Sequence, residues 1–394
     1  MRTNTFSKAF CFTLLMAAGA FFSCEEKNHD AQIEALIQEI KEEFAPDKRV
    51  AIWDISLEGN EITGETDQEM ALQKFRSKLE EKGFSNVESI TLLPAESLEE
   101  KTQAVVTISV ANIRSAAKHS AELATQALMG TPVKVLKQDG GWYLIQTPDK
   151  YISWVDAAGI ALMDRQSFSQ WQASEKVVFM PLNGFVFEDE SKTSWLSDLV
   201  AGNILEVMEK RGLWYEVKLP DGRKGLVSAT EVQDFEAWKN SRSLTSENLI
   251  STAKSMMGSP YLWGGTSIKG IDCSGFTKTI FYLNGQVIPR DASQQIHEGD
   301  LVDDSKDWSK LEVGDLLFFG EKGTADKKER IVHVGMWIGD NSFIHSRGLV
   351  RISSFDEDSP NYDEYELNRY LRTKRVIGKE NPNITSVENS LTFE

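Results

Sequence analysis

One cysteine stands where chemistry is easiest to build. Asp272-Cys273-Ser274-Gly275 follows a glycine-rich turn at Gly264-Gly265 and opens an apolar run from Phe276 to Leu283. That spacing predicts a helix with Cys273 in its first turn, where unpaired backbone N–H groups and the positive end of the helix dipole favour thiolate. Thiolate is the form in which cysteine acts as a nucleophile. A nucleophile needs a base, and the chain offers His29, His119, His297, His333 and His345. His333 sits at one alternating position of a strand-like run from Ile331 to Ile338, and His345 closes the next run, Ser342 to Ser346, beyond the turn Gly339-Asp340-Asn341. A hairpin of that length brings two histidines onto neighbouring strands, one as base and one to orient it.

Other clusters carry less. Asp303, Asp304 and Asp307 form an acidic loop without the regular spacing of a cation site, and one thiol with no Cys-x-x-Cys is a poor zinc ligand supply. No metal or other cofactor is expected. The 43 Lys and Arg against 60 Asp and Glu give a net charge of −17, which leaves no basic footprint for a nucleic-acid backbone.

The elements that must position Cys273 occupy only the last part of 394 residues. Arg2 and Lys8 precede an apolar stretch from Ala9 to Phe22, too short to span a bilayer as a permanent helix, and Ser23-Cys24 follows. This reads as an export signal (1–23), with Cys24 in the position of a lipidated bacterial lipoprotein cysteine and 24–29 as a tether. The expected location is outside the cytoplasm, on a membrane, with the lipid as anchor. Cys11 leaves with the signal and Cys24 is consumed by lipid, so Cys273 is the free thiol of the mature chain. Residues 30–113 read as a small α/β domain, with helical faces at Ile33, Leu36, Ile37 and Ile40 and at Met70 to Leu79.

Two segments then repeat. Val135, Trp142, Tyr143, Pro148, Asp149 and Val155 recur as Val207, Trp214, Tyr215, Pro220, Asp221 and Val227, each displaced by 72 residues. Short alternating strands with Gly and Pro-Asp turns predict two small all-β barrels, similar to bacterial SH3-like domains. The first, with a connecting helix, spans 114–175 and the second 176–240. A polar linker leads into an α+β domain over 241–379, and 380–394 is expected to be a loosely held tail.

The chain from Leu249 to Arg375 resembles the NlpC-type papain-like cysteine peptidases of bacterial cell walls. The resemblance rests on Pro260-Tyr261-x-Trp263-Gly264-Gly265, Asp272-Cys273-Ser274-Gly275, Pro289-Arg290-Asp291 with Gln294, Gly314-Asp315-Leu316 and His333-Val334-Gly335. It implies a papain-like α+β fold, Cys273 as nucleophile, His333 as general base and acid, His345 as the residue that fixes the imidazole, and Tyr261 near the oxyanion. With two SH3-like domains ahead of it, the architecture resembles the γ-D-glutamyl-L-diamino acid endopeptidases, which cut small peptides with a free N-terminal L-alanine. That likeness implies amine capture by Asp291 with Glu122 and Tyr151 from the first barrel, and substrate contacts at Asp272, Ser274 and Trp263. The partners would be peptidoglycan-derived peptides. Two alternatives stand beside it: a hydrolase of polymeric peptidoglycan with the SH3-like domains as wall-binding modules, and a binding lipoprotein without catalysis.

Overall fold

The computed structural model describes residues 29–84, 87–379 and 381–392. The expected leader, Cys24 and most of the tether lie outside them. The chain divides into two units, Met1–Glu96 and Ser97–Glu394. In the first, a helix over 29–44 and the helix Glu69–Glu81 accompany a three-stranded sheet of Trp53–Glu58, Glu61–Thr66 and Val87–Leu92. Ile33, Leu36, Ile40, Leu72 and Phe75 are buried together with Trp53 and Ile62, as the helical spacing of the apolar residues requires.

The α/β domain expected over 30–113 ends earlier. Strands Gln103–Val106 and Val110–Arg114 belong to the second unit, inside a seven-stranded sheet ordered Ile160–Met163, Gln103–Val106, Pro132–Asp139, Trp142–Gln146, Ile152–Asp156, Val110–Arg114, Leu123–Leu128. A second sheet repeats that order with Val232–Asp234, Lys176–Phe179, Ile204–Arg211, Trp214–Lys218, Lys224–Ser228, Asn183–Phe187 and Trp195–Val200. Applied to Lys176, the 72-residue displacement lands on Ala104, so the repeat itself marks where the first sheet begins. A register shift recurs too, between Val135 and Lys137 in one sheet and Val207 and Glu209 in the other. Both sheets have open strand orders with two edges, which corrects the expectation of closed barrels. Val135, Tyr143 and Val155 line one core and Val207, Tyr215 and Val227 the other, so half of the repeated positions are ones that pack.

The remaining domain is a six-stranded antiparallel sheet ordered Asp300–Asp303, Tyr370–Arg375, Leu316–Glu321, Arg330–Gly339, Ser342–Arg347, Leu349–Ser354. The helix Cys273–Leu283 lies on it, burying Phe276 and Ile280 against Phe318, Val334, Met336 and Ile344. The tail is not loose: Thr385–Ser386 pairs with Gln286–Val287. Val387 and Leu391 enter a core shared with Val105, Trp171, Ile204 and Trp238. Two apolar side chains at helical spacing, easily overlooked among polar neighbours, are enough to seat it.

Candidate active site

Asp272 determines where the helix of Cys273 begins. Its Oδ1 accepts from the Gly275 N–H at 2.7 Å, an N-cap, and its Oδ2 accepts from the Gly264 N–H at 2.9 Å. The fully buried Arg290 completes the clamp, donating to Asp272 Oδ2 at 2.6 Å, to Ser274 Oγ at 2.9 Å and to Thr125 Oγ1 of the first SH3-like sheet at 2.9 Å. Burial opposes the guanidinium charge, but the Asp272 carboxylate outweighs it and holds Arg290 protonated. With its acceptors filled internally and its carboxylate buried, Asp272 is a scaffold residue. The substrate contacts expected of Asp272 and Ser274 do not match these surroundings, because both side chains are engaged with Arg290.

Glycine makes the assembly possible at two points. Gly264 has φ +80°, and a Cβ there would lie 2.2 Å from the Leu123 carbonyl oxygen of the first SH3-like sheet. A Cβ on Gly275 would lie 2.0 Å from the Gly265 carbonyl oxygen. Both positions need bare backbone, and the first lets the neighbouring domain close onto the loop that carries Trp263.

Cys273 is buried, and burial together with the Asp272 carboxylate pushes its thiol up to about 12, while backbone N–H groups of Val334 and Ser274 and the Arg290 charge pull the other way. The expected thiolate is therefore not the resting form; desolvation outweighs the helix N-terminus. His333 occupies the strand position next to Val334. The expected hairpin pairs Met336 with Ile344 through a turn in which Gly339, Asp340 and Asn341 all have positive φ.

The two histidines meet: His333 Nε2 is 2.7 Å from His345 Nδ1. His345 Nε2 is 3.0 Å from Ser353 Oγ, and that hydroxyl donates to Asp363 Oδ2 at 3.0 Å. A carboxylate only accepts, so Ser353 gives its proton to Asp363 and accepts from His345 Nε2–H; Arg351 Nε, a donor 3.4 Å from the same nitrogen, is the longer and weaker competitor. His345 Nδ1 is then the acceptor, His333 Nε2–H the donor, and His333 Nδ1 carries the lone pair. Burial, followed by the charges of His345, Arg369 and Arg347, holds His333 well below the ordinary imidazole value. Burial, with Arg351 and Arg347, takes His345 down to about 3. Both rings rest neutral. His333, His345 and Glu366 are a buried group with ligand atoms within 4.8 Å of one another. Their two facing nitrogens, at 2.7 Å, are closer than two nitrogens each about 2.0–2.1 Å from one tetrahedral ion can lie. The arrangement fits a hydrogen-bonded relay and not a metal centre.

Tyr261 is half-buried, and burial and the nearby Cys273 raise its hydroxyl. Trp263 is 61% exposed, and its Nε1–H donates to Glu122 Oε1 at 2.6 Å. Tyr151 OH donates to Asp291 Oδ2 at 3.4 Å. The structure thus brings Glu122 and Tyr151, from loops of the first SH3-like domain, against Trp263 and Asp291 of the α+β domain. The Asp303 loop is a structural turn, its carboxylate accepting from Ser305, Lys306 and Tyr370. The sequence names Arg290 only as part of a motif, with no role of its own, and does not mark Ser353, Asp363 or Glu366. Arg290 stands beside Asp291 in the Pro-Arg-Asp motif; the acidic pair lies in a stretch rich in acids, where nothing marks the two that are buried.

Residues 258–369 match the NlpC/P60 family and residues 109–161 the bacterial SH3 domain. A γ-D-glutamyl-L-lysine dipeptidyl-peptidase of Bacillus cereus is 30% identical over 261 residues, covering 64% of this chain and 76% of that one. Dipeptidyl-peptidase 6 of Lysinibacillus sphaericus is 27% identical over 268 residues, covering 66% and 94%. The crystal structure of an NlpC/P60 family protein from Bacillus cereus superposes with a TM-score of 0.58 at 25% identity, over 70% of this chain and 99% of that one. The matched region carries Cys273, His333 and His345 together, and with a peptidase relative aligned far beyond that one domain, the chain belongs to the NlpC/P60 family.

Proposed function

We propose that the protein is a cysteine endopeptidase that hydrolyses the γ-D-glutamyl-L-diamino acid bond of peptidoglycan-derived peptides bearing a free N-terminal L-alanine. The observation that carries this reading is the pairing of carboxylates across the domain junction. Asp291 on Tyr151 and Glu122 on Trp263 offer two carboxylates at that junction as charged acceptors for a substrate ammonium. The relatives of Bacillus cereus and Lysinibacillus sphaericus named above support the peptide class.

In this mechanism the Cys273 proton passes to His333 Nδ1 as Sγ attacks the γ-glutamyl carbonyl carbon. The oxyanion is held by the Cys273 backbone N–H and the Tyr261 hydroxyl. His333 returns the proton to the leaving amine, and water, deprotonated by the same imidazole, resolves the thioester. His345, Ser353 and Asp363 keep His333 in the tautomer whose Nδ1 can accept. We further propose export and lipid attachment at Cys24, a reading carried by the sequence alone.

The test uses L-Ala-γ-D-Glu-diaminopimelate and its N-acetyl form, with products read by mass. The free-amine peptide should be cut and the blocked one spared, with all cleavage lost in Cys273→Ala. Asp291→Ala should cost the free-amine substrate about ten- to a hundredfold in kcat/KM, the range for losing a charged hydrogen bond. Equal cleavage of both peptides, with digestion of purified wall sacculi, would instead favour a hydrolase of polymeric wall. Cleavage of neither would remove the peptidase reading.

A further inference from the structure

Behind the histidine pair lies a carboxylate that the mechanism above does not use. Glu366, on the short helix Glu364–Arg369, is fully buried, and neither oxygen has a hydrogen-bond partner. Its Oε1 lies 3.9 Å from His333 Nε2 and 3.4 Å from an Arg347 nitrogen, and its Oε2 lies 3.9 Å from Arg369 Nε. A buried polar group without hydrogen bonds is costly. Burial raises the Glu366 carboxyl above its ordinary value, while Arg369 and Arg347 pull it down; protonation would bring a hydroxyl with no hydrogen-bond partner, whereas the ionised form has two guanidinium groups within 4 Å. The same neighbourhood explains what it could do. The charged and titratable groups around His333 are His345 and Arg347 on the next strand, Arg351 beyond them, Asp363 at the cap of the helix of Glu366, and Arg369 on that helix. Three of these are arginines, which oppose a second positive charge, and Asp363 is committed to Ser353 and Arg351.

We propose that Glu366 is a positioning residue that holds a negative charge against the His333 ring, so that the imidazolium formed when Cys273 gives up its proton is balanced inside the protein. The step moves one proton from Cys273 Sγ to His333 Nδ1 and leaves a thiolate and an imidazolium; nothing is oxidised or reduced. The inference rests on the reading of His333 as the base, but not on the identity of the substrate.

The test is alkylation of Cys273 by iodoacetamide in the full-length protein, followed from pH 6 to 10 by mass. An opposite charge within about 4–6 Å shifts a pKa by roughly 1–3 units, and the arginines offset part of this. Glu366→Gln should therefore slow alkylation near pH 7 about tenfold. Glu366→Asp, which keeps the charge, should stay near the parent rate. Unchanged alkylation in Glu366→Gln, or an equal loss in Glu366→Asp, would overturn the proposal. If Glu366→Gln does not fold, carboxyl 13C NMR of the unsubstituted protein decides: the proposal requires Glu366 ionised at pH 7, and a protonated carboxyl there would overturn it. Neither readout needs peptide cleavage, so a failed substrate assignment and a failed role for Glu366 remain distinct.

Discussion

At the residue scale, the site is two neutral histidines and a neutral thiol held in a dry setting by charges placed one step away. That arrangement has a cost in acid. The folded value of His345 is about 3, and an unfolded histidine titrates near 6.5. Between those values the unfolded chain binds the proton and the folded chain does not, so stability rises with pH across the window and is lost as pH falls from about 6.5. One such residue contributes a slope of up to about 1.4 kcal/mol per pH unit. Urea unfolding of His345→Gln should accordingly show a pH dependence between pH 4 and 6 that is shallower than the parent's by about that amount. An unchanged slope would mean that His345 takes up its proton in the folded state. Cys273, His333 and His345 were legible in the sequence because rare residue types stood in recognisable patterns. Ser353, Asp363 and Glu366 were not, since a serine in a strand and two acids among many acquire meaning only when folding buries them.

At the element scale, the first SH3-like sheet and the nucleophile helix are joined as parts of one site. Beyond Arg290 on Thr125, the Lys278 ammonium, on the helix of Cys273, pairs with Asp149 in the Pro-Asp turn of that sheet, and Thr147 Oγ1 also donates to Asp149 at 2.6 Å. Both charges are largely buried, and burial pulls the Lys278 ammonium below its ordinary value. Removing one partner of such a pair strands the other. Asp149→Ala should cost about 3–5 kcal/mol in chemical denaturation, whereas Asp149→Leu with Lys278→Met should recover most of the loss. A small effect of Asp149→Ala would show that water reaches Lys278 there. The repeat made the strands of these domains readable, yet Asp149 and Asp221, equivalent by sequence, diverge in use. Asp149 grips the catalytic helix while Asp221 pairs with the exposed Arg223. Periodicity reports the fold that two copies share and is silent on the partner that one of them has acquired.

At the scale of the whole molecule, every group of the proposed site lies between residues 122 and 366, inside the unit Ser97–Glu394. Anchor and catalysis should therefore separate. A Cys24→Ala chain should leave the membrane fraction while its soluble form keeps the kcat/KM of the parent on the free-amine peptide. Retention in the membrane would remove the lipid-anchor proposal, and a fall in kcat/KM would tie the N-terminal segment to the site. The boundary near residue 96 is hard to see in the sequence because short β-strands look alike in isolation; their pairing, and the 72-residue displacement once Lys176 is known to open the second sheet, assign Gln103–Val106 to the repeat. The core around Trp171 and Trp238 draws on both SH3-like sheets, the helices after each of them, the catalytic domain through Val287, and finally Val387 and Leu391. The chain is made from its N-terminus, so this joint stays open until the residues that close it have been synthesised. Assembly of the three domains thereby waits until Leu391 has been made, and a chain stopped short of it would carry all its site residues yet leave their common foundation unsealed.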